Sequence, residues 1–237
     1  MKNIMLITFI LVAAVVLQSC HKISGHGPVI TKEYNLGTFT AFDNGIDADL
    51  YFTQDSTYHV EISAQQDILD IIETPVINGR LSLQVEKYKN IGHHDRIIVR
   101  ISAPSITAMG VNGSGTVTAL QPVAAGNLSL SVNGSGKLSV AAFAGNTLAA
   151  DISGSGSIYV NGGQCSNVAA HISGSGEIDL LGVNARTGAV ETSGSGKTCI
   201  WATDRLDVRI SGSGDVLYKG TPSIHSEISG SGRIKPL

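Results

Sequence analysis

The second half of the chain repeats one pattern of apolar and polar positions. Seven copies of Gly-Ser-Gly occur between residues 113 and 232, and their serines lie 18–21 residues apart. With each serine as position 0, apolar side chains dominate positions −5, −3, +3 and +5, and the positions between them are mostly polar. Alternation with a period of two is typical of a β-strand that buries one face. Each repeat is therefore predicted to contain a strand, the Gly-Ser-Gly block, a second strand and a loop.

The Gly-Ser-Gly blocks are predicted to be corners. One straight strand of thirteen residues through the block would span about 40 Å, which is too long for a coil of twenty residues. Glycine permits the bend and leaves room inside it. The alternation places both glycines inward and the serine outward. The seven blocks are Gly113-Ser114-Gly115, Gly134-Ser135-Gly136, Gly154-Ser155-Gly156, Gly174-Ser175-Gly176, Gly194-Ser195-Gly196, Gly212-Ser213-Gly214 and Gly230-Ser231-Gly232.

Stacking of the repeats would bury a continuous interior that no single repeat can bury alone, so the fold class is an all-β parallel solenoid, or β-helix. Neighbouring coils would pair in parallel about 4.8 Å apart. Analogy with parallel crossovers favours right-handed coiling. Serines and position −2 polar residues would form ladders along the outside. A β-propeller is the main alternative, but its blades need about 40 residues and four strands.

Residues 29–108 lack the repeat but remain rich in alternating apolar stretches. We expect them to form irregular coils that cap the N-terminal end of the solenoid, because an open end is an unpaired edge. Residues 54–59 have the composition of a hairpin turn, residues 65–73 have helical spacing, and residues 86–95 form a polar loop. Residues 29–237 are thus predicted to be one domain, with the seven coils in 109–237.

The first residues predict export. One lysine precedes an apolar run that is short for a membrane span, and "LQSC" at residues 17–20 resembles a bacterial lipobox. Residues 1–19 are therefore interpreted as a lipoprotein signal peptide, Cys20 as the lipid-attachment site and residues 20–28 as a tether. An ordinary secretory signal is the alternative. Lipid chains on Cys20 would anchor the protein to a membrane, because each buried CH₂ contributes about 0.8 kcal/mol.

Composition and charge exclude some classes of partner and of structure. The formal net charge is −3 and no basic run occurs, so nucleic-acid binding is not expected. Glycine is abundant (28 residues) and proline sparse (6), which with many β-branched residues argues against disorder. Cys165 and Cys199 lie at different repeat positions and have no histidine at ligand spacing, so both are expected to be free thiols.

Particular stretches resemble a known family. "FTAFDNGIDADLYFTQ", "VEISAQQDILD", "RLSLQVEK" and the repeated "GSG" are similar to the Bacteroidetes head GIN domain family, also described as auto-transporter adhesins. The resemblance runs from Phe39 to Ile234. The Gly-Ile-Asn motif of that family reads Gly45-Ile46-Asp47 here, with aspartate in place of asparagine. The resemblance implies a secreted or lipid-anchored β-helical protein of adhesin type.

Candidate chemistry in the sequence is sparse. The stretch "GSGKT" at 194–198 looks like the end of a phosphate-binding P-loop. A P-loop also requires glycine five residues before Gly196, and that position is Glu191. The outward +2 row alternates in sign, which favours a solvated face. His93, His94 and Asp95, and the alternating Asp43, Asp47 and Asp49, could bind a cation but more often are solvated. Asp55-Ser56-Thr57 resembles a short O-glycosylation acceptor. We therefore predict no catalytic residue, no cofactor and no metal.

Two classes of function remain. The first is a non-catalytic cell-envelope lipoprotein, expected at the outer membrane, whose solenoid binds a glycan or protein ligand or acts as a scaffold. The second is a carbohydrate-active enzyme of lyase or hydrolase type, which would need clustered carboxylates and basic groups across neighbouring coils. Self-association is left open.

Overall fold

The structure is a computed structural model that describes residues 21–237. It is 69% strand and 2% helix and forms a parallel β-solenoid of about six turns with coils about 20 residues apart, which confirms the predicted fold class. Among residues 21–237, no helix has the length and apolar character needed to cross a membrane. The predicted signal peptide (1–19) and Cys20 lie outside the described residues.

Ten strands and one short helix make up the N-terminal part of the described chain, residues 21–103. They are β1 (His21–Ile23), β2 (Val29–Glu33), β3 (Ala41–Asn44), β4 (Asp49–Gln54), β5 (His59–Gln65), α1 (Gln66–Leu69), β6 (Ile72–Glu73), β7 (Val76–Ile77), β8 (Arg80–Val85), β9 (Lys89–Ile91) and β10 (Ile98–Ala103).

Twelve strands form the regular coils. They are β11 (Ala108–Gly113), β12 (Thr116–Ala119), β13 (Val123–Gly134), β14 (Lys137–Val140), β15 (Phe143–Gly154), β16 (Ser157–Val160), β17 (Gly163–Gly174), β18 (Glu177–Gly194), β19 (Lys197–Gly212), β20 (Asp215–Lys219), β21 (Ser223–Gly230) and β22 (Arg233–Pro236).

Each regular coil combines a long strand that ends on the first glycine of a block with a short strand that starts after the second. Neighbouring coils pair in parallel and in register, so that Gly134 lies beside Gly154, and Gly154 beside Gly174. The residues at −5, −3, +3 and +5 are buried in the first six coils, except the half-buried Tyr218. Stacked aliphatic columns thus form the core that the alternation predicts.

The two glycines of a block have different roles. The serine is exposed in every block, and the second glycine is buried in the first six. A Cβ on Gly156 would lie 2.6 Å from the Gly136 carbonyl oxygen, so the inside of the corner has no room for a side chain. The first glycine is not buried, although the alternation predicted that it would be. It is needed for its backbone, because φ is +126° at Gly154, a region that L side chains rarely adopt.

Backbone hydrogen bonds tie each corner to the preceding one. The N–H of Ser155 donates to the carbonyl oxygen of Gly134 at 2.9 Å, and the N–H of Ser157 donates to that of Gly136 at 3.0 Å. The predicted side-chain ladders are scarce among residues 21–237. At position −2 the Asn133 amide donates to Asn112 at 2.9 Å, whereas the corner serine side chains make no hydrogen bond there.

The family motif occupies the corner of the cap coil. Asn44 pairs with Val111 and Asp49 with Thr116, so Asp47 takes the place of the corner serine and Gly45 lies two positions earlier. The buried Asn44 side chain donates to the carbonyl oxygen of Ala48 at 3.0 Å. A Cβ on Gly45 would lie 2.7 Å from the Leu83 carbonyl oxygen. The motif therefore builds the one irregular corner on which the first Gly-Ser-Gly corner stacks.

The cap coils do not stack in sequence order. Strands β3 and β4 lie between the first regular coil, on one side, and β8 and β10, on the other. The chain thus moves outward to form the terminal layer and then returns to start the solenoid at β11. Strand β5 pairs antiparallel with β10, and β2 pairs antiparallel with β5. This antiparallel pair covers one edge of the solenoid, as expected of a cap.

Three local predictions need correction. Residues 54–59 do not close a hairpin, because β10 separates β4 from β5. The helix is only Gln66–Leu69, and Ile72 belongs to a strand instead. The start of the predicted tether is docked: β1 pairs in parallel with β9, and the Gly25 N–H donates to the His93 carbonyl oxygen at 2.8 Å. The predicted polar loop of residues 86–95 therefore contains a strand that holds the N-terminal segment.

Candidate functional site

The outer face formed by the long strands carries aligned columns of side chains. Position −4 holds five charged or titratable residues on successive coils, which are Asp151, His171, Glu191, Arg209 and Glu227. Position −6, two residues earlier on each strand, holds alanine in three coils and then Asp207 and His225. Because parallel coils lie in register, residues 18–20 apart in sequence become direct neighbours.

These columns line a shallow groove of about 560 Å³. Ala169 and Ala189 form its apolar floor, and the −4 column forms one wall. Asp207 and His225 continue the alanine column and raise the floor at the C-terminal end. The groove therefore has a small-residue floor flanked by charged groups of both signs.

Most charges of the groove are paired. His171 Nδ1 lies 3.8 Å from Glu191 Oε2, and Arg209 Nε donates to Glu227 Oε2 at 3.1 Å. Arg205 Nε donates to Asp207 at 2.8 Å, and this bond lowers the pKa of the Asp207 carboxyl. Such exposed pairs contribute little to stability, typically about 0–1 kcal/mol. Their main consequence is a surface on which positive and negative groups alternate.

Asp151 differs from the other acids of the groove. Desolvation raises the pKa of its carboxyl, and the neighbouring His171 offsets only part of this rise. Asp151 makes no hydrogen bond or ion pair within the described part of the chain. It is therefore the carboxyl in the groove most available to a ligand.

The outward +2 row is a solvated face, as its alternating charges predict. Lys197 donates to Glu177 at 2.9 Å from the next coil, and the Tyr159 hydroxyl donates to the same carboxylate at 3.0 Å. Arg233 contacts Asp215 at 3.3 Å. These contacts run across neighbouring coils and pair Glu177 with Lys197 and Asp215 with Arg233, so little unpaired charge remains in this row.

The acidic and histidine candidates do not converge on a cation site. Asp43 is held by Arg80 at 2.9 Å, and Asp49 accepts hydrogen bonds from Arg96 and Thr116. In the His93-His94-Asp95 segment, His94 contacts the carbonyl oxygen of Asp95 at 2.6 Å. These groups serve local structure instead.

Both remaining cysteines are free thiols and both are buried. Burial raises the pKa of the Cys165 thiol to about 11, and burial also raises the pKa of Cys199. A thiol that stays protonated is a poor nucleophile. Their role is packing, in agreement with the different repeat positions from which the sequence predicts unpaired cysteines.

The groove was missed at the sequence level although its signal is present. Alignment on the corner serine already places five residues in one column at position −4, whereas the outward rows singled out from the sequence are those at +2 and −2. The five are Asp151, His171, Glu191, Arg209 and Glu227. The second missed group is Glu33, His59 and Glu61, whose ligand atoms lie within 4.8 Å of one another. Nothing in their spacing along the chain marks them as neighbours.

Solved structures show the same architecture in other bacteria. A putative adhesin from Bacteroides fragilis is 24% identical, with a TM-score of 0.86 over 91% of this chain and 100% of that one. A putative adhesin from Parabacteroides merdae is 24% identical, with a TM-score of 0.75 over 92% and 99%. A putative lipid binding protein from Parabacteroides distasonis is 23% identical, with a TM-score of 0.74 over 91% and 99%. At this level of identity the likeness establishes a shared fold.

The family assignment rests on the sequence itself. A search of curated proteins gives no match. Residues 38–222 match the family described as "Putative auto-transporter adhesin, head GIN domain". The matched range covers the cap from residue 38 onward, the Gly45-Ile46-Asp47 corner and the corners up to Gly214. The chain therefore belongs to the head GIN domain family.

Proposed function

We propose that this protein is a non-catalytic lipoprotein of the cell envelope that binds an extended glycan or protein segment in the groove of the solenoid. The observation that carries the proposal is the stacked −4 and −6 columns, which combine an alanine floor with a wall of charges of both signs. A ligand that lies along the solenoid axis meets an equivalent pair of positions about every 4.8 Å.

The chemistry of the groove supports reversible binding. The alanine side chains of the floor are shorter than the charged side chains of the wall, so a polymer can approach the sheet closely at the floor. Charges of alternating sign orient a polar ligand and exclude ligands with the wrong pattern, because electrostatic complementarity contributes mainly to specificity and association rate. Pairing of His171 with Glu191 and of Arg209 with Glu227 leaves few groups poised for proton transfer.

Anchoring belongs to the same proposal. Cys20 follows a lipobox-like stretch, and acylation there would hold the solenoid at a membrane surface. Strand β1 is docked on β9 from His21, the residue that follows Cys20 in the sequence, and this supports a short distance between that membrane and the cap. An outer-membrane location agrees with the adhesin description of the family. Such placement suits a protein that contacts material outside the cell.

The binding proposal is tested by filling the groove. Ala189→Trp places a bulky side chain on the floor without changing charge, and Ala124→Trp is the matched control, since Ala124 is an exposed strand alanine outside the groove. Binding of the purified protein is measured on immobilised mucin, glycosaminoglycans, collagen and fibronectin. The proposal expects that Ala189→Trp loses binding that Ala124→Trp retains. Equal binding by the two variants, or no binding of any probe by the unaltered protein, argues against it.

A glycan-cleaving enzyme is the second candidate, and Asp151 is the observation that favours it. Its raised pKa suits a general acid. Glu191 lies two coils away, which corresponds to about 9.6 Å between strands. That value is close to the upper end of the carboxyl separation of inverting glycosidases, about 6.5–9.5 Å. Release of reducing ends from a bound glycan, abolished by Asp151→Asn while binding persists, would establish the enzyme instead.

A further inference from the structure

A second site lies in the cap, away from the groove, and is formed by Glu33, His59 and Glu61. Glu33 is the last residue of β2, and the antiparallel register places it directly opposite Glu61 on β5. His59 lies two residues before Glu61 and therefore points to the same face of the sheet. Three potential metal ligands thus project together from two neighbouring strands.

The distances match those of a coordination site. The ligand atoms of the three residues all lie within 4.8 Å of one another. His59 Nε2 is 3.4 Å from Glu61 Oε2. Two ligands bound tetrahedrally to zinc at about 2.0–2.2 Å lie roughly 3.4 Å apart, so one ion can bridge these two atoms with little movement.

Arg100 orients the central carboxylate. Its Nη1 donates to Glu61 Oε1 at 2.6 Å, whereas the other oxygen, Oε2, is the one that faces His59. The two oxygens of Glu61 therefore have separate partners, one from β10 and one toward the cluster. A hydrogen bond to the outer oxygen of a ligating carboxylate is the usual arrangement around protein-bound metals.

The electrostatics of the bare cluster are unfavourable. Carboxylates placed directly opposite each other on paired strands repel and destabilise the pair. Arg100 balances one negative charge, but Glu33 makes no ion pair in the described part of the chain. A divalent cation between Glu33 and Glu61 would remove this repulsion, and the neutral histidine would complete the ligand set.

The cluster opens onto space that a metal site requires. Glu33 and His59 line a cavity of about 430 Å³ together with Tyr34, Asn35 and Tyr58. Water or a small ligand at a fourth coordination position would have room in this cavity.

We propose that Glu33, His59 and Glu61 bind one divalent transition-metal ion of the zinc class, with Arg100 as a positioning residue and the fourth position open to the cavity. One imidazole nitrogen and two carboxylate oxygens suit Zn²⁺. Calcium is a poorer match, because it takes six to eight oxygen ligands. The site is independent of the groove, so neither proposal depends on the other.

The test measures zinc binding by isothermal titration calorimetry on metal-free protein, with thermal melts in parallel. The unaltered protein is expected to bind one Zn²⁺ per chain and to melt at higher temperature with the metal. His59→Gln and Glu33→Gln should each weaken binding by at least about tenfold, and Arg100→Gln by about 10–100-fold.

The chain offers a matched control. His26 and Asp67 form a single exposed histidine–carboxylate pair away from the groove, with Nδ1 2.9 Å from Oδ2, and in the described part of the chain no third ligand atom groups with them. His26→Gln should leave zinc binding unchanged. Cobalt substitution provides a second readout, since a tetrahedral site with a nitrogen ligand gives visible d–d absorption that His59→Gln should abolish. Absence of saturable zinc binding, or equal losses in His59→Gln and His26→Gln, overturns the proposal.

Discussion

Replacement of Gly154 by alanine tests why the corners need glycine. Two costs coincide at this position. The backbone φ of +126° is one that an L side chain rarely adopts. In addition, the new Cβ would lie 2.5 Å from the carbonyl oxygen of Gly134 on the preceding coil, and real Cβ atoms essentially never come so close to another heavy atom.

Substitution of Gly113 distinguishes the cost of backbone strain from the cost of the clash between coils. Gly113 is the first glycine of the first block and has a similar φ of +118°, but a Cβ there would have no neighbour within 4 Å. The irregular Gly45 corner of the preceding coil leaves open space at this position. Gly113→Ala therefore introduces the backbone strain alone, whereas Gly154→Ala adds the clash between coils.

The expected losses follow from these contacts. Strain at a disfavoured φ costs about 1–3 kcal/mol. Alanine lowers the conformational entropy of the unfolded chain relative to glycine, which offsets about 0.4–1 kcal/mol of the loss at either position. Overpacking against a neighbouring coil adds about 1–3 kcal/mol. Gly113→Ala should thus lose about 1–2 kcal/mol of unfolding free energy, and Gly154→Ala roughly 2–5 kcal/mol.

Urea denaturation followed by circular dichroism measures both variants, with Ser155→Ala as the surface control. The midpoint and the slope are fitted together, since a repeat protein can lose cooperativity and change its slope. Ser155→Ala should change the unfolding free energy by less than about 0.5 kcal/mol, because the side chain is exposed. Equal losses from Gly113→Ala and Gly154→Ala would refute the contact between coils, and a large loss from Ser155→Ala would refute the outward orientation of the corner.

Four further experiments address other parts of the chain. Cys20→Ala should release the protein from membrane fractions or block its processing, and unchanged membrane association contradicts lipid anchoring. Thr198→Val should stabilise the protein by about 1 kcal/mol in urea melts, because the buried hydroxyl makes no hydrogen bond with the described residues. The Arg96 hydrogen bond lowers the pKa of Asp49, so its stabilising effect is present above the ordinary aspartate pKa of about 3.9 and is lost as the pH falls through the lowered folded pKa. Arg96→Gln should flatten that acid-side loss in melts taken at several pH values, and an unchanged pH profile contradicts the pairing. Deletion of residues 155–174 joins Gly154 to Ser175 and should leave a folded protein with β-rich circular dichroism, whereas an unfolded product contradicts independent coils.

The regular coils could be predicted because their determinants are local and repeated. Alternation at −5, −3, +3 and +5 defines the buried face in each coil, and the period defines which residues stack. The one error in the corners, the inward placement of Gly154, has a physical reason. A strict period of two assumes extended backbone, and a φ of +126° breaks that geometry one residue before the bend.

The cap was less predictable, since its determinants are long-range. The apparent turn at 54–59 is polar in composition, yet β10, more than forty residues later, inserts between the flanking strands. The sequence 65–73 has helical spacing, but pairing of Ile72 with Val85 ends the helix early. Local propensity is overridden wherever a distant strand offers backbone hydrogen bonds and a buried face.

The two candidate sites mark the limit of sequence reasoning in different ways. The column of Asp151, His171 and Glu191 follows directly from the repeat, because parallel stacking in register converts a period of 20 residues into a contact. Glu33 and His59 carry no such relation, since they meet only through the antiparallel register of β2 on β5. In a repeat protein, the residues that become neighbours on the surface can therefore be predicted from the period. The neighbours in the cap cannot be predicted in this way, because they depend on how strands distant in sequence pair there.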